Sequence, residues 1–208
     1  MADVLEKLFG SGSRVKILRF FLLNPENLFD LKEISRRTKT DSSVVRREIL
    51  LLKAIGFLKE SEEKIDELIK LKNGKIKNKK KKIRGFRLNI LFPFLRQLKD
   101  LLINAAPIDR EKLLKSINST GKIKLVILSG IFIDSGEGNK VDLLIVGDSV
   151  RRSALDRLLK NIEAEIGREL NYVLFTKDEF FYRFNMYDRF IRDILDYPHE
   201  KLLNKLNI

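Results

Sequence analysis

The apolar positions of this chain change period along its length, and the first ninety residues hold the clearest change. Val15, Ile17, Leu18, Phe20, Phe21 and Leu22 crowd one stretch, which predicts a well-enclosed helix after an N-cap at Ser13. Asn24-Pro25 ends it, because a residue before proline is pushed out of the helical region. Asp30 caps a second helix, with Leu31 and Ile34 on its buried face and the pair Arg36-Arg37 following. Thr38-Lys39-Thr40 is a turn. Asp41 or Ser42 then caps a third helix over 44–55, with Val45, Ile49, Leu52 and Ile55 inward and Gly56 as its stop. Beyond Gly56 the period falls to two. Phe57-Leu58-Lys59-Glu60 predicts a short strand, and Ile83 to Leu88 alternates as its partner. A long insertion, 61–82, separates them. Its start (Ile65, Leu68, Ile69) reads as a short amphipathic turn or helix, Asn73-Gly74 as a turn, and Lys75 to Lys82 as nearly continuous lysine.

Two short helices, a tight turn, and a helix that begins polar and finishes apolar make a helix-turn-helix layout. The first turn of its last helix must enter the major groove, so it carries small and basic groups, here Ser42, Ser43, Arg46 and Arg47. The two arginines suit guanine edges or phosphates equally. A hairpin after such a helix is a wing. Lys75, Lys77, Lys79, Lys80, Lys81, Lys82 and Arg84 would follow phosphates along it, as mobile point charges without base preference.

Charge sharpens this picture. The chain carries net +13, and residues 1–90 hold +11 of it, with 23 Lys+Arg against 12 Asp+Glu. So one-sided a field draws polyanions, and double-stranded DNA is the expected partner. The basic run has no interleaved aromatics of the kind that stack on single strands. There is no cysteine and one histidine, which removes disulfides, thiolate metal sites and a Cys nucleophile, and leaves a zinc site almost without ligands. No metal and no cofactor is expected. The first nine residues form no signal peptide, and no apolar run approaches the length of a membrane span, so a cytoplasmic protein without membrane contact is expected.

The ordered series Leu8-Phe9-Gly10-Ser11, Arg14-Val15-Lys16-Ile17-Leu18, Ile34-Ser35-Arg36-Arg37, Val44-Val45-Arg46-Arg47-Glu48, Ile55-Gly56-Phe57-Leu58 and Phe86-Arg87-Leu88-Asn89 resembles the winged-helix domain of ArsR-type regulators. The resemblance spans roughly residues 8–90 and implies transcriptional regulation. The Cys and His clusters of the metal-sensing members are missing, so metal sensing is not implied.

Phe92-Pro93-Phe94 opens a further helix, with Leu95, Leu98, Leu101 and Leu102 at helical spacing, and Asp109 caps another over 110–117. Residues 91–120 thus read as a helical connector, and pairing of two chains through it would give a homodimer and a pseudo-palindromic DNA site. Lys122 to Leu128 predicts a strand, Ser129-Gly130 a turn, and Val141 to Val146 a strand buried on both faces. Gly147-Asp148 is read as the next turn. A helix over 155–166 stopped by Gly167, a strand over 170–175 and a helix capped by Thr176, with Glu179 at capping-box spacing, complete the pattern, with helix continuing in pieces to the end. Phe180, Phe181, Tyr182, Phe184, Tyr187 and Phe190 are expected in the core, Asp188 and Arg192 as an i, i+4 pair on a solvated face, and His199 without a role.

Leu128-Ser129-Gly130, Val141 to Asp148 and Glu165 to Tyr172 resemble the nucleotidyltransferase fold of the DNA polymerase beta superfamily. Active members place Gly-Ser after the first strand and two carboxylates two residues apart on the second. Those groups hold triphosphate and divalent metal. Here Ile131 follows Gly130, Lys140 stands at the first carboxylate position, Asn171 near the third, and only Asp142 matches. The resemblance therefore implies a site without catalytic residues. Ser129, Gly130, Lys140 and Asp142 are the candidate nucleotide contacts, and 121–208 is the region for a nucleotide or protein partner. The expected fold class is α+β, mainly α, in three parts: a winged helix-turn-helix over 1–90, a helical connector over 91–120, and a small mixed α/β nucleotidyltransferase-like domain over 121–208. The expected function is a non-enzymatic DNA-binding regulator. The alternative is a nucleotidyltransferase or nucleotide-binding sensor, toxin–antitoxin-like, with a DNA-binding module.

Overall fold

The computed structural model describes residues 2–70, 76–104, 109–133 and 141–208, with side chains over 4–63, 82–103, 109–133 and 141–208. It is an α+β structure with two small sheets, and it divides into two units. The first is Ala2–Ile103 with Ala164–Arg168; the second is Asn104–Glu163 with Glu169–Ile208. The boundary at 103/104 falls inside the stretch read as a connector.

In the first unit, α1 (Ala2–Phe9) precedes α2 (Gly12–Leu22), α3 (Leu31–Thr38) and α4 (Ser42–Ala54). The cap of α2 is Ser11 rather than Ser13: its hydroxyl accepts the Arg14 N–H at 3.2 Å, so the helix begins two residues earlier than the apolar run suggests. Asp30 caps α3 and Asp41 caps α4, each accepting a backbone N–H. Between the two helices Lys39 sits at φ 48°, a left-handed cap that lets the chain reverse within three residues. Ile17, Phe21, Ile34, Val45, Ile49 and Phe57 form the centre of this unit, all with 1% exposure or less. Ile55 was expected among them but is 56% exposed, because α4 has ended at Ala54 and Ile55 is its C-cap.

The hairpin departs most from expectation. Instead of a short strand, an insertion and a second strand, it is one long antiparallel ribbon, β1 (Leu58–Lys70) with β2 (Ile76–Leu88). Hydrophobic alternation breaks down after Glu60, but backbone pairing does not need it. The Asn73-Gly74 turn and Lys75 lie outside the described residues. At the base of the ribbon Phe29 and Phe86 exchange both backbone hydrogen bonds, at 3.0 and 2.8 Å. That third chain passes so close that a Cβ on Gly85 would stand 2.5 Å from the Phe29 carbonyl oxygen. Replacing Gly85 with alanine is expected to cost about 1–3 kcal/mol through the forced backbone shift, measured as a lower denaturation midpoint. After β2, α5 (Leu95–Lys99) continues as a π-helical turn (Asp100–Asn104) that buries Leu102.

The second unit packs α6 (Arg110–Asn118), capped by Asp109, and other helices on a four-stranded sheet ordered β5-β4-β3-β6. Its strands are β3 (Lys122–Leu128), β4 (Leu143–Asp148), β5 (Tyr172–Phe175) and β6 (Glu200–Asn204). β3 runs antiparallel to β4 and β6; β4 and β5 are parallel, joined through α7 (Arg152–Ile166). Gly147 and Asp148 belong to β4, and the chain turns only at Ser149, at φ 54°. The capping box at Thr176 and Glu179 opens α8 (Lys177–Asn185) as expected. α9 (Arg189–Asp196) follows, but the last segment is strand β6, not helix. Short and half-polar, Glu200–Asn204 has no signal that separates it from a helix end. Its pairing with β3 decides the matter. Leu125, Ile127, Leu144, Val146, Phe180, Ile191 and Ile194 form the core. Of the aromatic run only Phe180 is fully buried; Tyr182 and Tyr187 are 68% and 77% exposed.

Candidate nucleic-acid interface

The stripe that α4 turns inward (Val45, Ile49, Leu52) leaves Ser42, Ser43, Arg46 and Arg47 exposed together on its first two turns. The two serines also build the turn that presents the arginines. The Ser43 hydroxyl donates to Asp41 at 2.7 Å, and its backbone N–H reaches the same oxygen at 2.8 Å. Those bonds hold the Asp41 carboxyl below the usual carboxylate range. Ser42 lies 3.3 Å from the Ser35 hydroxyl of α3. The stretch 41–43 is thus pinned from both sides before any ligand arrives.

One residue of this face was not singled out from sequence. Glu48, buried on α4, accepts from Arg14 of α2 at 2.7 and 3.4 Å, and the same guanidinium donates to the Phe9 carbonyl at 2.9 Å. This pair locks α4 against α2 and so fixes how Arg46 and Arg47 are presented. The signal was in the sequence: Glu48 sits one residue before buried Ile49 on an otherwise apolar flank. A second fixed cation is Arg37, whose guanidinium stacks over Phe20 and Phe29 at 5.0 and 5.5 Å.

The lysine strand does not stand alone. Register puts Glu62 opposite Arg84, Asp66 opposite Lys80 and Glu67 opposite Lys79. β1 carries five acidic residues and three lysines against the seven basic residues of β2, and three of the acids stand directly opposite a cation. Among the described side chains, Glu62 pairs with Arg84, Glu63 with Arg87 and Glu60 with Lys53. The Lys53 hydrogen bond holds the Glu60 carboxyl low. So Arg84, expected on phosphate, already has a carboxylate partner, while Lys82 is exposed. Lys77, Lys79, Lys80 and Lys81 lie on β2 by their backbone; their side chains are outside the described set.

In the second unit three of the residues set aside for nucleotide, Ser129, Gly130 and Asp142, are brought together, with the polar groups of Ser129 and Asp142 turned into the fold. Asp142 is buried, and its carboxylate accepts the Ile131 N–H at 3.1 Å with one oxygen and the Asn171 N–H at 2.9 Å with the other. Ser129 is buried too, its hydroxyl donating to the Val141 carbonyl. Gly130 sits at φ 53°, where a Cβ would stand 2.4 Å from an Asp142 oxygen. These groups tie the end of β3 to the starts of β4 and β5. Lys140 lies outside the described residues. Among the described residues no cluster of three or more His, Cys, Asp or Glu is placed to hold a metal ion, and no helix is long and apolar enough to cross a membrane.

No family model matches the chain, and neither a curated protein nor a solved structure matches it.

Proposed function

We propose that the chain is a DNA-binding transcriptional regulator: its first unit a winged helix-turn-helix that reads double-stranded DNA, its second a nucleotidyltransferase-like domain used as a scaffold. The observation that carries the proposal is the exposure of Ser42, Ser43, Arg46 and Arg47 on one rigidly capped helix start whose opposite stripe is buried. Guanidiniums on such a turn can meet guanine edges or phosphates without reordering the backbone. The long basic strand β2 extends the cationic surface beyond the helix.

The scaffold reading of the second unit is supported by Asp142. Both of its carboxylate oxygens are occupied by backbone N–H groups, and the residues expected at the other carboxylate positions are Lys140 and Asn171. Selection of bound fragments from sheared genomic DNA by the purified full chain tests the proposal. Recovery of a shared sequence supports it, whereas recovery of fragments at random would reduce the chain to a nonspecific polyanion binder.

The acidic strand makes a further prediction within this reading. Glu62 and Glu63 pair with Arg84 and Arg87 and would compete with phosphate for them, so Glu62→Gln with Glu63→Gln is expected to tighten DNA binding several-fold. It should also steepen the dependence of log K on log salt by about 1–2. Titration of a labelled duplex at three salt concentrations measures both.

A further inference from the structure

The outer stripe of α9 consists of Arg189, Arg192, Asp193 and Asp196, spaced i, i+3, i+4, i+7, while Ile191 and Ile194 face the core. Two features of this stripe run against what an isolated helix favours. Negative charge is favoured at a helix start and positive charge at its end, yet here both arginines precede both aspartates. Only the cap, Asp188, obeys the rule; the Phe190 N–H holds its carboxyl low, with help from Arg183. The i, i+4 pairs are also in the weaker order, cation before anion. At 4.0 Å (Arg189–Asp193) and 3.7 Å (Arg192–Asp196), and largely exposed, they contribute little. The pair expected from sequence, Asp188 with Arg192, is not the one formed; Asp188 bonds Arg183 at 2.8 Å. The fold itself gives no reason for this order of charges.

A second helix of the same sequence does. Inverting the stripe about the point between 192 and 193 exchanges Arg189 with Asp196 and Arg192 with Asp193, so every cation falls on an anion. Such self-complementarity under inversion is what an isologous two-fold contact requires. Antiparallel approach also sets each misplaced charge against the opposite end of a partner helix dipole. Beside the stripe, Met186 and Tyr187 lead directly into α9, 65% and 77% exposed, with Tyr187 held at φ 54° by a turn whose backbone bonds are all made within the unit. Methionine and tyrosine are enriched where proteins meet. Net charge over 177–196 is close to zero, four basic against five acidic residues, which disfavours a nucleic acid or an anionic membrane here. We infer that α9 is the seam of a homodimer, pairing antiparallel with the same helix of a second copy of this chain. The inference does not depend on DNA binding.

Charge exchange in the full chain tests it by sedimentation equilibrium. Wild type is expected to self-associate, more weakly as salt rises. Arg189→Glu with Arg192→Glu should be monomeric, as should Asp193→Arg with Asp196→Arg, and an equimolar mixture of the two should form a heterodimer. A fourth variant carrying all four changes keeps the inversion symmetry, places each charge where the helix dipole favours it, and should dimerise again. It guards against a variant that merely unfolds. A monomeric wild type, a dimer that survives Arg189→Glu with Arg192→Glu, or a folded mixture that stays monomeric overturns the assignment.

Discussion

Alanine in place of both Arg46 and Arg47 is expected to weaken binding to a selected duplex on the order of 100-fold and to shrink the salt slope by about 1 for each of the two that holds a phosphate. Both side chains are exposed on α4, and neither belongs to the core that holds the helix in place. The denaturation midpoint should therefore stay within a degree or two of wild type, which separates lost contact from lost fold. The ratio of specific to nonspecific affinity then divides the two arginines. A base-reading arginine lowers it, while a phosphate-holding one weakens all duplexes alike. Unchanged affinity of the double variant on the selected fragment would end the proposal that α4 enters the groove. Glu48→Ala offers a contrast: by freeing Arg14 and releasing α4 from α2, it should lower affinity and stability together.

Asp142→Ala is expected to destabilise the second unit by about 2–4 kcal/mol, because it removes a buried acceptor from two backbone N–H groups and leaves both unpaired. For a unit of this size that corresponds to a fall in midpoint of roughly 10 °C or more, followed by differential scanning calorimetry. A carboxylate kept for metal or nucleotide behaves in the opposite way. Its removal commonly leaves stability intact or improves it, since strained and desolvated site groups are held against the fold's own preference. A stable Asp142→Ala protein that no longer binds nucleoside triphosphate would therefore overturn the scaffold reading and restore a ligand site at the end of β3. Gly130 reports on the same contact, since any side chain there collides with the Asp142 oxygen.

Local choices of cap and buried face were readable along the chain. Caps with a short polar side chain were legible at Asp30, Asp109 and Thr176 with Glu179, and at α4 the choice between Asp41 and Ser42 was left open, with Asp41 the cap observed. At α2 the start slipped by two residues, because Ser11 and Ser13 both precede the apolar run and spacing alone does not choose between them. The exposure of Arg46 and Arg47 was equally legible, since a 3.6-residue period that buries Val45 and Ile49 leaves those two outside. Tertiary structure decided what depends on distant partners. The acidic half of the hairpin and its lysine half lie far enough apart in sequence that only strand register sets them opposite each other. Asp142 looked like a ligand because its place in the chain matches one; that its oxygens face Ile131 and Asn171 follows from where β3 ends and β5 begins. The last strand, β6, and the exposure of Tyr182 and Tyr187 were likewise beyond sequence reach. Local spacing states which residues share a face, but not what the rest of the molecule brings to cover it.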